Sequence, residues 1–600
     1  MSRKTIALGL GWVALAPLAA PAQESFVLDE IVASATLVPL EVNRTGATVE
    51  TLNADEIAAG GRSVGQTLSL LPGVSISANG GLGGSATLRL RGLGGSYIGV
   101  RIDGIDMTDP SSTQTSFNFG TLATGLPDRI EVLKGAQSAL YGSNAIAGVV
   151  DITTWRPDVQ GFSGQASVEA GSHGSGSATV SLGQRGERGE VALTFSRITT
   201  EGESARNTDT EDDGFDQTQL SVFAAYDATE TLRLGFSAVY SDGTSEFDRS
   251  TVDPSGEIDQ TRRALRTFAQ FTTGPVDHEL ALSYSETERF DEGGFTERFL
   301  GKRTKLEYLG ETDLTADLGL AFGADWTEEK ATLDGTRYDA DSAAAFGELQ
   351  YAATADIDLA LSLRYDSYSD FEDQLSGRAA MAWRIDEDLI LRAVLGTGYR
   401  APSLYERFGP YGSATLEPET SRSAEIGLEK RYGPDSFAKA TLFYSEIDDL
   451  IDYDFALSAY AQAPGTTTTK GVELSGRHAL TDRVAVFGAY TYTDATGPDG
   501  RLLRVPRHDF SLGLEAGLSD RLKADLTLQA VADRRDTNTF PNPPSGIADY
   551  TLVNAGMSYE MTDTTEAYLR VENLFDESYE PVRGYNGAGR SVFVGLRARF

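Results

Sequence analysis

The densest chemistry in this 600-residue chain lies in two acidic stretches. Thr210-Glu211-Asp212-Asp213-Gly214-Phe215 is the first; Glu246-Phe247-Asp248, with Asp259 beyond it, is the second. Carboxylates crowded in this way repel one another unless water, a proton or a cation intervenes. Calcium takes about six to eight oxygen ligands and accepts flexible loops, so it is the cation such a set would suit. Plain solvated surface acids are the other reading, on a chain whose formal net charge is −37. General acid–base work would need two of these acids held in fixed geometry. Nothing in the sequence positions them and no other catalytic set is visible, so the chain is not read as an enzyme. The same negative charge makes nucleic acid an unsuitable partner.

These acids sit between segments with a period of two. The final ten residues alternate strictly: Val592, Val594, Leu596, Ala598 and Phe600 share one face, and Phe593, Gly595, Arg597 and Arg599 the other. Residues 189–196, 233–240 and 566–572 repeat the pattern, with Ala567, Leu569 and Val571 on the apolar face of the last. Alternation of this kind makes strands with one apolar and one polar face, the texture of membrane barrel strands. Past the N-terminus no stretch is apolar for the ~20 residues a spanning helix needs. Strands that cross a bilayer must close into a barrel, because unpaired backbone groups cannot face lipid. The alternating region holds about 440 residues. At ~20 residues per strand and connection that is about 22 strands, a size whose lumen is normally plugged. Glu201 to Asp216 and Asp242 to Asp259 are expected as long acidic loops outside the cell. The 24 Tyr and 27 Phe are enough for two interfacial aromatic girdles.

The residues before the barrel supply the plug. Arg3 and Lys4, the apolar run Ile6 to Leu18 and the small-residue site Ala20-Pro21-Ala22 read as an export signal over 1–22. An extended segment, 23–37, follows. Residues 38–157 mix short elements: a helix start at Asn53-Ala54-Asp55-Glu56-Ile57, a second helix over Ser63 to Leu71 stopped at Pro72-Gly73, and strands at 87–92 and 98–104. The barrel is expected over 158–600. The fold class is therefore an all-β transmembrane barrel of about 22 antiparallel strands with an N-terminal α+β plug domain inside the lumen. Cys is absent, so no disulfide staples the fold despite export.

Signal, Gly-rich plug and large barrel together resemble the TonB-dependent receptors of Gram-negative outer membranes. Leu88-Arg89-Leu90-Arg91-Gly92, Val100-Arg101-Ile102-Asp103-Gly104 and the run from Arg129 to Ile152 match the family's plug pattern. The resemblance implies that buried Arg and Glu residues hold the plug to the wall; Gly135, Gly142 and Gly148 suit tight turns. Asp29, Glu30, Ile31, Val32, Ala33, Ser34 and Ala35 look like the TonB box, the strip that pairs with TonB (itself energised by ExbB and ExbD) by strand addition. The implied protein is a monomer in outer-membrane lipid, its signal peptide removed.

Within that family several stretches are similar to the cobalamin (vitamin B12) transporters. They are Asp448 to Asp454, Glu572 to Glu580, the closing Gly584-Tyr585 and Ala588-Gly589-Arg590, and the more widely shared Gly396 to Leu404 and Leu416 to Glu419. The resemblance implies a substrate site at the plug apex loop Asn79, Gly80, Gly81 and Leu82. It adds a second apical loop containing Ser111 and Ser112, together with Phe247 and Arg534. It also implies calcium on the acidic loops, where Glu211, Asp213, Asp248 and Asp259 match ligand positions. Glu211 stands where those transporters carry Asp, and its longer side chain shifts the oxygen. Haem, a siderophore or another metal chelate is the alternative cargo. Haem receptors favour His ligands, and none of His173, His278, His478 and His508 lies in the 399–420 region.

Overall fold

The computed structural model describes residues 31, 32, 34–61, 63–206, 208, 210–249, 255–433, 435–537 and 542–600. The export signal, Asp29, Glu30 and Ala33 lie outside the described residues. Among those described, twenty-two antiparallel strands close into a barrel, and the two-residue segment Gly500–Arg501 adds a rung to one hairpin. The first strand, Gly161–Gly171, meets the last, Ser591–Arg599, from Gln165 opposite Arg599 to Gly171 opposite Phe593.

The alternation sorts as lipid requires. Val592, Val594, Leu596 and Phe600 point outward, with Val594 55% exposed, while Phe593 is fully buried. Val191, Leu193 and Phe195 are exposed, and Thr194 and Ser196 between and beyond them are buried. The exposed apolar band faces hydrocarbon and the buried polar residues face the lumen. No helix among the described residues is long and apolar enough to cross a membrane.

The strands are longer than the sequence pattern suggests. Asp213–Thr229 and Leu232–Asp248 run 17 residues each and Ser255–Thr273 runs 19, against the ~9–11 a bilayer needs. The wall therefore continues beyond the membrane. Much of the expected loops 201–216 and 242–259 is strand, and only 204–212 and 249–254 lie between strand ends. Backbone pairing needs no apolar side chains, so the ladder persists where both faces have turned polar.

The plug is built on a five-stranded sheet in the order Val49–Asn53, Pro127–Lys134, Gly148–Thr154, Ile98–Ile102, Ile105–Asp106. Helix Ala54–Ala59 starts at Asn53 with a reciprocal capping box to Glu56. The second helix is only Val64–Leu68; the chain turns at 69–73, ahead of the position where Pro72 would have stopped it. Leu68, Leu90, Ile98, Val100, Ile130, Val132, Val150 and Ile152 form the plug core. Gly148 is required: its φ is 148°, and a Cβ there would lie 2.1 Å from the Leu133 carbonyl oxygen.

Candidate functional site

Ion pairs bolt the plug to one side of the wall. Arg91 Nε donates to Glu473 Oε1 at 2.8 Å and its Nη1 to Glu425 Oε2 at 2.5 Å. Lys134 Nζ, fully buried, donates to Glu473 Oε2 at 3.0 Å and to the Pro72 carbonyl at 2.8 Å. The Thr48 amide and hydroxyl both donate to Glu425 Oε1 at 3.1 Å. Arg392 reaches the Thr45 and Val42 carbonyls at 3.1 Å each. Buried charges need partners of this kind, and here all but the Lys134–Pro72 bond join plug to barrel.

At the outer mouth the plug offers two apical hairpins. In the first, Asn79 pairs with Ser85, Gly81 is exposed at the tip, and Leu82 packs beside Ala123, Ile198 and Phe215. In the second, Ser111 is fully buried: its amide and hydroxyl donate to Asp109 Oδ1 at 2.8 and 2.7 Å, and Arg289 Nε donates to Asp109 Oδ2 at 3.1 Å. The Ser112 amide donates to the Asp109 carbonyl at 3.2 Å. The structure thus commits Ser111 to Asp109, the residue that ties this hairpin to the wall, and leaves Thr113 at the exposed tip. Satisfying the amides of a tight turn takes precedence over presenting the hydroxyl.

The stretch from Gly396 to Glu419 knots this hairpin to the wall. Arg400 donates to Glu406 at 2.8 and 3.1 Å and to Glu419 at 2.5 Å, all three residues being buried. Ser403 caps helix Leu404–Phe408 and donates to the Thr113 carbonyl at 2.7 Å. Around this knot the outer loops share a set of aromatic contacts. Phe295 stacks on Tyr411 at 5.6 Å, and Tyr453 meets Tyr411, Phe455 and Tyr460 edge-on at 5.4, 5.1 and 5.7 Å. Phe295 and Phe455 are strongly exposed. No spacing pattern marks this set, because its members come from three separate loops.

Arg534 is not a rim contact. It is buried, donates to the Glu580, Pro581 and Ala548 carbonyls at 3.0, 3.0 and 2.7 Å, and lies 4.6 Å over the Tyr550 ring. Burial holds its guanidinium below its ordinary value. It ties the 573–590 loop to the hairpin that carries it. Phe247 is half-buried, lies over Gly256 across the strand pair, and has Arg249 5.2 Å from its centroid.

The four acids named as metal ligands differ in their surroundings. Asp213 is buried on the lumen face with Phe215 and Gln217, and the Ala205 amide donates to its Oδ2 at 2.6 Å. Asp248 is buried and Glu211 half-buried. Asp259 is exposed opposite Thr244, whose hydroxyl donates to it at 2.6 Å. Among the described residues no group of three or more His, Cys, Asp or Glu side chains converges to hold a metal. As placed, this set does not fit a calcium ion.

At the inner mouth Ile31–Val32 pairs antiparallel with Leu40–Glu41. Val32, Ser34 and Ala35 are fully buried. The Ser34 amide and hydroxyl donate to Glu131 Oε2 at 3.0 and 2.7 Å, and the Tyr141 hydroxyl donates to the Ser34 carbonyl at 2.8 Å. The Leu37 amide donates to Glu348 Oε1 at 3.3 Å. Beside Thr36–Pro39 lies a cavity of about 730 Å³, lined in part by residues at or beside strand ends such as Glu230 and Asp277. Seven carboxylates (Asp151, Asp227, Glu230, Asp277, Glu279, Glu307, Glu311) face three guanidinium groups (Arg101, Arg233, Arg266) along its lining. Burial pushes the Asp151 carboxyl up to about 6.

A family model of the TonB-dependent receptor-like β-barrel matches residues 154–574, and one of the TonB-dependent receptor plug domain matches 41–149. The chain belongs to the TonB-dependent receptors. It is a receptor and transporter of the outer-membrane barrel type, not an enzyme. Over 98% of its length it is 26% identical to the vitamin B12 transporter BtuB of Vibrio cholerae serotype O1, covering 99% of that protein. BtuB of Photobacterium profundum is 27% identical over the same shares of each chain. Among solved structures, the siderophore receptor PirA of Acinetobacter baumannii superposes with a TM-score of 0.79 at 16% identity, covering 92% of this chain and 98% of that one. The FrpB iron transporter of Neisseria meningitidis gives 0.80 at 15% identity, covering 93% and 100%. At those identities the structural likeness speaks for the fold of this receptor alone.

Proposed function

We propose that this receptor imports cobalamin or a related corrinoid across the outer membrane. Cargo lodges between the plug apex and the outer loops. Its binding frees the box segment, residues 29–35, which TonB captures by strand addition. TonB, energised by ExbB and ExbD, then draws on the plug and the cargo passes. The observation that carries the reading is the end-to-end likeness to vitamin B12 transporters at 26% identity. Two features support it. The outer mouth offers a large aromatic surface, suited to a bulky, mostly apolar ring system. The inner cavity is net acidic, which disfavours anionic catecholate chelates through like-charge repulsion. A ferric siderophore, haem or another chelate is the second reading, favoured by the names of the structural neighbours. The reading does not depend on calcium at Glu211, Asp213, Asp248 and Asp259, which the same binding assay tests.

Cyanocobalamin binding to the purified protein, with and without millimolar calcium, tests this. Tight binding in either condition supports the cargo, and weakening on chelation supports the metal. Absence of binding in both sinks the cobalamin reading and leaves the chelates.

A further inference from the structure

Arg378 is 2% exposed on strand Gln374–Asp386, and none of its three guanidinium nitrogens has a hydrogen-bond partner among the described residues. A buried, unpaired cation is costly, and every plug–wall charge described above avoids that state. Register places one wall acid on its rung. Glu348 is opposite Ser362, and Ser362 is opposite Arg378, so the three form one rung across three adjacent strands. All three are buried. Strands lie about 4.8 Å apart, which sets the outer two backbones about 10 Å from each other, a span that an Arg and a Glu side chain bridge when both extend. Glu348 and Glu425 are the carboxylates whose charges reach Arg378.

Glu348 is engaged elsewhere. Its Oε1 accepts the Leu37 amide at 3.3 Å and Gln350 Nε2 at 2.8 Å, and its Oε2 accepts the Ser362 hydroxyl at 2.8 Å. Leu37 belongs to the strap that follows the box segment. Helix Ser138–Tyr141, which packs on the strands carrying Ser362 and Arg378, also holds the box through the Tyr141–Ser34 bond. One withdrawal of the strap would therefore remove a donor from Glu348 and clear the rung.

We propose that Arg378 is a positioning residue for box release: its guanidinium stands unpaired while the segment is parked and takes Glu348 once Leu37 lets go. The parked state carries the uncompensated cation and the released state gains the ion pair, so the rung biases the segment toward release. The proposal rests on residues 29–35 being what TonB captures, but its test reads only the burial of Ala35 and needs no cargo.

The chain has no cysteine, so Ala35→Cys places a single thiol at a fully buried position. Its reaction with a water-soluble maleimide, in the purified full-length protein, reports how often the segment is out. Adding Arg378→Met should slow labelling about tenfold and raise the thermal midpoint, because the parked state sheds its unpaired charge. Arg378→Lys should keep most of the wild-type rate. Glu348→Gln keeps an acceptor for Leu37 but no charge for Arg378; it should slow labelling similarly and add nothing to Arg378→Met. An arginine that merely props the wall would give the reverse, faster labelling and a lower midpoint. Unchanged or faster labelling in Arg378→Met, or additive effects of the two changes, overturns the proposal.

Discussion

Glu473→Gln should loosen the plug while leaving the barrel closed. Glu473 accepts Arg91 Nε at 2.8 Å, Arg91 Nη2 at 3.2 Å and Lys134 Nζ at 3.0 Å. After the change Arg91 keeps Glu425 at 2.5 Å, whereas Lys134 keeps the Pro72 carbonyl at 2.8 Å and Glu50 at 3.4 Å. Removing one partner of a buried ion pair costs about 3–5 kcal/mol. The second carboxylate on Arg91 sets the expectation at the lower end, about 3 kcal/mol. With a urea dependence of about 2 kcal/mol per molar for a domain of this size, plug release should shift down by about 1.5 M. Ala136→Cys supplies the probe: the residue is buried where the plug meets Gly396, and its thiol reacts only when the plug leaves. A shift under about 0.3 M, small beside the ~1.5 M expected, would refute the claim that this network holds the plug. A second arm separates charge from packing. Arg91→Met, Lys134→Met, Glu473→Leu and Glu425→Gln together should recover most of the loss, because a buried charge cluster replaced whole by neutral groups is close to neutral. The Glu425→Gln change keeps an acceptor for the two bonds that Thr48 donates at 3.1 Å.

Two further outcomes are expected. The Asp151 carboxyl sits at about 6 rather than its ordinary 3.8, chiefly because it is buried. A raised acid penalises the folded state once ionised, so its contribution is harmless below about pH 4, worsens as pH rises to about 6, and is constant above. Asp151→Asn should then raise the urea midpoint for plug release at pH 7 and leave it unchanged at pH 4; an equal effect at both values would remove titration as the cause. Arg534→Lys should fail to preserve its tie, since one ammonium cannot serve three carbonyls and a ring as the planar guanidinium does. Proteolysis within 573–590 should quicken about tenfold, roughly the 1.4 kcal/mol expected for one lost charged hydrogen bond; wild-type resistance in the Lys variant would return Arg534 to the list of cargo contacts.

Much of this receptor is local in origin and so legible in one chain. Strict alternation in 591–600 decides which side chains meet lipid, because successive residues on a strand must point to opposite faces. Asn53 and Glu56 start a helix through a cap that spans three residues. The number of strands follows from the length of the alternating region, and the plug runs 88–92, 100–104 and 129–152 carry the family. Tertiary structure decided the rest, through partnerships between positions hundreds of residues apart. Ser111 is buried by Asp109, itself held by Arg289 from the wall. Asp259 and Asp213 part to opposite faces because cross-strand register, not proximity of acids in sequence, sets direction. The aromatic set at the outer mouth assembles from three loops, and the Glu348–Ser362–Arg378 rung exists only once three strands are aligned. Period and composition are properties of a segment; register and the pairing of buried charge are properties of the closed barrel with its plug in place.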